Sequence, residues 1–191
     1  MSNLKPEHLI LSIESSCDET SLALLAVPSF LDHENQDLNS KISDLELIQN
    51  TKILSTVIAS QVKTHEIYGG VVPEIGARMH AEAIHVIWQE MLVKLDLEGL
   101  REIQKAKSVA AIKDHHEISD VQTQVLLLLE KIMVTTNPGL VSALRVGQEF
   151  AKSVQFFANQ TRLRHGLESR NLEICEINHL RGHVASCFYL E

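Results

Sequence analysis

The chain has 191 residues, 45% of them hydrophobic and 22% charged, with a formal net charge of −8. Such a length buries a sizeable core, as one large domain or as one lobe of a two-lobed protein, and such a mix excludes a disordered chain. The acidic balance speaks against wrapping nucleic acid through the overall field, which needs clustered Lys and Arg. The longest aliphatic run, Val125 to Leu129, falls far short of the roughly 20 residues that span a bilayer.

Residues His8 to Glu14 alternate Leu9, Leu11 and Ile13 with more polar neighbours, and Ser21 to Val27 is almost wholly apolar. This pattern predicts two strands joined as a hairpin. Pro28 to Asp44 is rich in Asp, Asn, Ser and Glu and is expected to be an inserted loop, after which Leu45 to Ile58 resumes a strand-like pattern. Pro73 stands where a helix would begin, and Ile84, Ile87, Trp88, Met91, Leu92 and Leu95 recur on one helical face. Glu74 and Arg78 are one turn apart on that helix and are expected to pair. Asp96 to Thr123 shows no clear period and is read as a second insertion. Leu126 to Thr136 is expected to be a strand ending in the turn Asn137-Pro138-Gly139. That turn launches a helix carrying Leu140, Leu144, Ala151, Val154 and Phe157. Leu172 to Ile177 is a last strand that delivers the chain to His179 and His183. The order is β-β-β-α-β-α-β, which fits a helix-flanked mixed sheet.

The N-terminus lacks the layout of a signal peptide, and Cys17, Cys175 and Cys187 are too few and scattered for a disulfide framework. A cytoplasmic location is expected. Arg162, Arg164 and Arg170, with Lys152 before and Arg181 after, form a locally basic stretch, either a solvated helix end or an RNA-facing patch.

His179-Leu180-Arg181-Gly182-His183 sets two imidazoles four residues apart, so on a helix both point the same way and can share one ion. A surface pair is the alternative. A zinc peptidase would carry Glu directly after the first histidine, where Leu180 stands. At the turn between the first two strands, Ser15-Ser16-Cys17-Asp18-Glu19-Thr20 offers hydroxyls and carboxylates to a phosphate group with bound magnesium, or serves simply as a polar turn.

Ile13 through Thr20, Ser60-Gln61-Val62, His65 through His80, Asn137-Pro138-Gly139-Leu140 and His179 to His183, in that order, closely resemble the TsaD family, once called O-sialoglycoprotein endopeptidases. The resemblance covers the chain apart from the insertions at 28–44 and 96–123. It implies an α/β fold, with residues 1–191 forming the N-terminal lobe of an actin/Hsp70/sugar-kinase-like (ASKHA) protein, a mixed sheet flanked by helices, and the C-terminal lobe lying beyond. It implies an iron or zinc ion (Fe2+ or Zn2+) on His179 and His183, completed by an aspartate of the other lobe. It also implies that Asp18 and Glu19 face nucleotide phosphates, with Mg2+ accompanying the nucleotide. The implied reaction transfers the threonylcarbamoyl group of threonylcarbamoyl-AMP to N6 of the adenosine beside the anticodon of tRNA. The implied partners are TsaB-like and TsaE-like subunits or a second copy of the chain, and a lone lobe of this length is expected to be inactive. Asn137, Ser142 and Arg145 stand where the family's glycine turn usually has two glycines and an aliphatic residue, and Arg181 replaces a more usual acidic residue. A non-catalytic TsaB-like scaffold and a metallopeptidase are the alternatives, the first disfavoured by the histidine pair and the second by the missing glutamate.

Overall fold

The computed structural model describes residues 6–28, 50–107 and 120–186. Strands β1 (Pro6–Glu14), β2 (Glu19–Pro28), β3 (Lys52–Ser60), β4 (Leu129–Asn137) and β5 (Glu173–Asn178) form one sheet in the order β3-β2-β1-β4-β5. The first three pair antiparallel, whereas β4 runs parallel to β1 and β5 parallel to β4. The expected adjacency of the strands near His8, Ser21 and Ile53 is thus observed. Central β1 buries Leu9, Ile10, Leu11 and Ile13 together, so both its faces are covered. Edge strand β3 leaves Ile53 and Ile58 exposed.

Six helices accompany the sheet among the described residues: α1 (Val62–Glu66), α2 (Pro73–Val93), α3 (Leu97–Ala106), α4 (Val121–Leu128), α5 (Val141–Arg164) and α6 (His179–Ser186). Pro73 opens α2, where its missing N–H costs nothing. Its predicted stripe is the buried one, with Ile84, Ile87, Met91 and the following Leu95 at most 7% exposed. On the same face of the sheet, Trp88 meets Phe150 of α5 edge to face. Ser55 of β3 donates to the Met91 carbonyl, while neighbouring Leu54 points the other way, toward Gly99 of α3. Successive residues of a strand face opposite sides. Helices therefore flank both faces, and the mixed sheet that the sequence implied is present.

Several expectations are corrected. The stretch Asp96 to Thr123 is no featureless insertion at its start: Asp96 caps α3 by accepting from the N–H groups of Glu98 and Gly99, and Leu100 and Ile103 enter the core. Residues 108–119 lie outside the described part, as do 29–49 of the first insertion and the opening of the expected strand at Leu45. Leu126 to Leu128 are helical, and β4 starts only at Leu129. A fully apolar run has no period to tell helix from strand. The missed signal is Asp120, whose carboxylate accepts from the N–H of Thr123, 2.9 Å away, and so starts α4. On α5 Leu140 is the cap and Phe157 faces solvent, while Ala143, Leu144, Gly147, Ala151, Val154 and Ala158 form the buried face. Glu74 does not pair with Arg78. Arg78 turns the other way, to Glu82 at 2.8 Å.

Two arginines of the basic stretch contact the fold. Arg162 Nε donates to the Glu168 carbonyl at 3.0 Å beyond the end of α5. Arg170 reaches Glu130 at 3.3 Å, a carboxylate also held by His8 and Lys107. Both observations favour the helix-end reading of this segment.

Candidate metal centre

Parallel pairing of β1, β4 and β5 brings their C-terminal ends to one edge of the sheet, where open α/β sheets generally place their sites. Three segments meet there: Glu14 to Ser16 after β1, Asn137 to Gly139 after β4, and His179 to His183 after β5. The turns are locked to one another. The Ser16 carbonyl accepts from the Leu140 N–H at 2.7 Å, and Ser15 Oγ donates to the Ala143 carbonyl at 2.9 Å. A Cβ on Gly139 would lie 2.6 Å from the Ser16 oxygen, so only glycine allows this approach. Asn137, ahead of this glycine, accepts from Asn178 Nδ2 at 2.9 Å. Asn178 also caps α6 by accepting from the Arg181 N–H at 3.2 Å.

That cap fixes where α6 starts and hence where its histidines point. His179 Nε2 and His183 Nε2 are 2.8 Å apart, with the ring planes nearly perpendicular. His179 Nδ1 is turned back to the chain, 3.1 Å from Glu14 Oε2 and 3.1 Å from Ser16 Oγ. Glu14 is itself held by the Ser16 N–H at 2.5 Å and by the Thr135 hydroxyl. Burial pushes the Glu14 carboxyl up, but the hydrogen bonds from Ser16, Thr135 and His179 outweigh it and hold the group below its ordinary value. An ionised carboxylate only accepts, so it favours a proton on His179 Nδ1, while Nε2 faces His183.

Two converging imidazole nitrogens, with one ring fixed by a carboxylate behind it, are donors of the kind a divalent iron or zinc ion would take. Among the described residues no group of three or more His, Cys, Asp and Glu side chains is placed to hold an ion. His179 and His183 would supply two positions. A side chain on Gly182 would meet nothing within 4 Å, so the surface between the histidines is low and open.

The other expected site residues stand apart from this pair. Asp18 and exposed Glu19 lie where the β1–β2 turn enters β2. The Asp18 carbonyl accepts from the Gln61 N–H at 2.8 Å, and its carboxylate lies beside Cys17, whose thiol is raised first by burial and then by that neighbour. Beneath this turn is a second histidine cluster, formed by the two ends of the His65 to His80 motif, whose contacts the sequence did not foretell. His80 Nε2 donates to the Cys17 carbonyl at 3.2 Å, and its Nδ1 lies 2.7 Å from Thr20 Oγ1. His65 takes the Val72 N–H on Nδ1 and faces Gln61 Oε1 with Nε2 at 3.2 Å. Glu14 and Ser16 were missed as partners of His179, and Thr135 as a partner of Glu14. The one local hint was a carboxylate closing an apolar strand just before paired serines.

Fold and donor set together define a helix-flanked mixed-sheet lobe with a two-histidine edge. A sequence model described as "TsaD: tRNA N6-adenosine threonylcarbamoyltransferase" matches residues 52–105. The tRNA N6-adenosine threonylcarbamoyltransferase of Geobacter metallireducens is 32% identical over 94% of this chain and 35% of its own length. Those of Clostridium botulinum and Syntrophus aciditrophicus are 31% and 33% identical, over 97% and 96% of this chain and 36% of their own lengths. The chain is similar to TsaD-family proteins over nearly its whole length, and it spans about a third of the length of the curated relatives it matches. Among solved structures, YeaZ from Pseudomonas aeruginosa superposes with a TM-score of 0.36 at 11% identity, over 90% of this chain and 44% of that one, too slight a likeness to bear on the reading.

Proposed function

We propose that this chain provides the metal-binding histidine edge of a tRNA N6-adenosine threonylcarbamoyltransferase, with threonylcarbamoyl-AMP and tRNA as substrates. The observation that carries the reading is the convergence of His179 Nε2 and His183 Nε2 at 2.8 Å, with Glu14 and Ser16 behind His179. When bound, an iron or zinc ion would act as a Lewis acid on the acyl donor. The chain's own residues do the rest. His179 and His183 present neutral imidazole lone pairs, and Glu14 holds the first ring in place. The bare surface at Gly182 lets a substrate come close. Asp18 and Glu19, on the neighbouring turn, are the groups that would meet a magnesium-bound nucleotide. The remaining ligand, an aspartate, and the remaining nucleotide contacts come from the second lobe of the full enzyme, which works with TsaB-like and TsaE-like subunits in the cytoplasm. Transfer of the threonylcarbamoyl group to tRNA tests the reading. His179→Ala or His183→Ala in the full enzyme is expected to lose metal and transfer together, with the circular dichroism spectrum unchanged. Wild-type transfer with the metal lost would overturn it.

A further inference from the structure

We infer that Glu14 is a positioning residue that selects the tautomer of His179, and that this choice decides whether Nε2 is open to a metal ion. The inference deepens the reading of His179 and His183 as a metal half-site and rests on it. His179 has two faces. Among the described residues Nε2 meets His183 Nε2, at 2.8 Å, and an imidazole nitrogen can donate or accept, so that contact does not by itself dictate the tautomer. Ser16 Oγ, 3.1 Å from Nδ1, is equally indifferent, because a hydroxyl donates or accepts. Glu14 Oε2, 3.1 Å from Nδ1, is the one neighbour that can only accept. The proton is therefore held on Nδ1, and the carboxylate decides alone among the three.

Glu14 is in turn fixed in a way that makes an isosteric substitution informative. Its Oε1 accepts from the Ser16 backbone N–H at 2.5 Å, and a backbone N–H can only donate. In Glu14→Gln the amide oxygen must stay at that position, so the NH2 group falls where Oε2 stood. There it faces the Thr135 hydroxyl, which can turn to accept, and His179 Nδ1, which must also accept. The imidazole proton then moves to Nε2. The hydrogen bond between the two histidines survives with its direction reversed, so the fold has no reason to change. The nitrogen aimed at the metal position, however, is now protonated.

The test is made on the 191-residue chain at a pH where the imidazoles are neutral, using two-bond nitrogen–proton correlation spectra of the histidine rings and titration with Zn2+ alone. The wild type is expected to show the Nδ1–H tautomer for His179, and His183→Ala to leave that tautomer in place. Glu14→Gln is expected to show Nε2–H, with Zn2+ affinity lower by about 10- to 100-fold and an unchanged circular dichroism spectrum. An Nε2–H tautomer in the wild type overturns the inference, and that measurement needs no variant to fold. So does a Glu14→Gln chain that keeps both the Nδ1–H tautomer and an affinity within twofold of wild type. If Zn2+ binding to the wild type is indifferent to His179→Ala and His183→Ala, the half-site reading fails, while the tautomer spectra still decide the role of Glu14.

Discussion

Two pairs of imidazoles meet the turn after β1 at adjacent residues, His179 at Ser16 and His80 at Cys17, and the pairs are built for opposite ends. In the buried pair, His65 and His80, each described ring nitrogen is engaged by the protein itself: Gln61 and the Val72 N–H for one, Thr20 and the Cys17 carbonyl for the other. In the edge pair, His179 is anchored by the protein through Nδ1, and its Nε2 faces His183 Nε2. A histidine whose nitrogens are both satisfied by the fold is a polar core residue. One held by Nδ1 alone, at an open surface, is preorganised to give Nε2 to something else.

The comparison breaks most sharply on activity against stability. His179→Ala should abolish transfer in the full enzyme and leave the thermal midpoint of the chain nearly unchanged, because α6 buries little. His80→Ala should do the reverse. It opens a cavity at a fully buried site and strands the Thr20 hydroxyl and the Cys17 carbonyl, a loss of about 2–4 kcal/mol by urea denaturation with metal binding retained while the chain is folded. Equal effects of the two variants on both measurements would erase the distinction.

A smaller effect is expected where the two regions share a support. Gly139→Ala would drive a methyl to within 3 Å of the Ser16 backbone oxygen and Cβ, which sit in the turn that both holds His179 and roofs the buried cluster. Repacking there should cost about 1–3 kcal/mol and weaken Zn2+ binding as well. Retention of both stability and affinity would show that the turn tolerates displacement.

Acid should separate the pairs next. Burial pushes His80 below its ordinary value of 6.5, and the Cys17 carbonyl with the charges of Glu14 and Asp18 pulls it only partly back. With the folded value below the unfolded one, the unfolded chain binds the proton first. Stability from this group is therefore complete above about pH 6.5 and falls as pH drops below it. Glu14, held low in the folded chain, contributes stability that is complete above its ordinary value of 4.5 and is lost at still lower pH, through its folded value. Thermal midpoints measured from pH 8 to 4 should decline in the first window for wild type and less for His80→Gln. The same decline in both would remove His80 as its source. At the bottom of the scale, Arg78→Ala loses only an exposed partner of Glu82 and should leave the midpoint within error.

Much of this was legible in the residues. The stripe from Ile84 to Leu95 is a local pattern of three- and four-residue steps, and it found its buried face unaided. The uniform apolar run at Val125 to Leu129 defeated the same method, since burial on every side removes the period that marks helix or strand. Phe157 looked like core by spacing but gave way to Ala158 and Gly147, because α5 lies too close to the sheet for a large ring at each step. The pairing of Arg78 was open to either neighbouring turn of α2.

The site divides along the same line. Two histidines one helical turn apart are a property of four consecutive steps of chain, so His179 and His183 could be read directly from the sequence. Glu14 and His179 are separated by 165 residues, and nothing in either local segment points to the other. They meet because β4 runs parallel to β1 and β5 parallel to β4, which stacks the ends of three distant strands at one edge. Spacing along a helix fixed which nitrogens could converge. The parallel sheet decided which carboxylate stands behind them, because non-local strand pairing is set by the packing of the whole core and leaves no local mark.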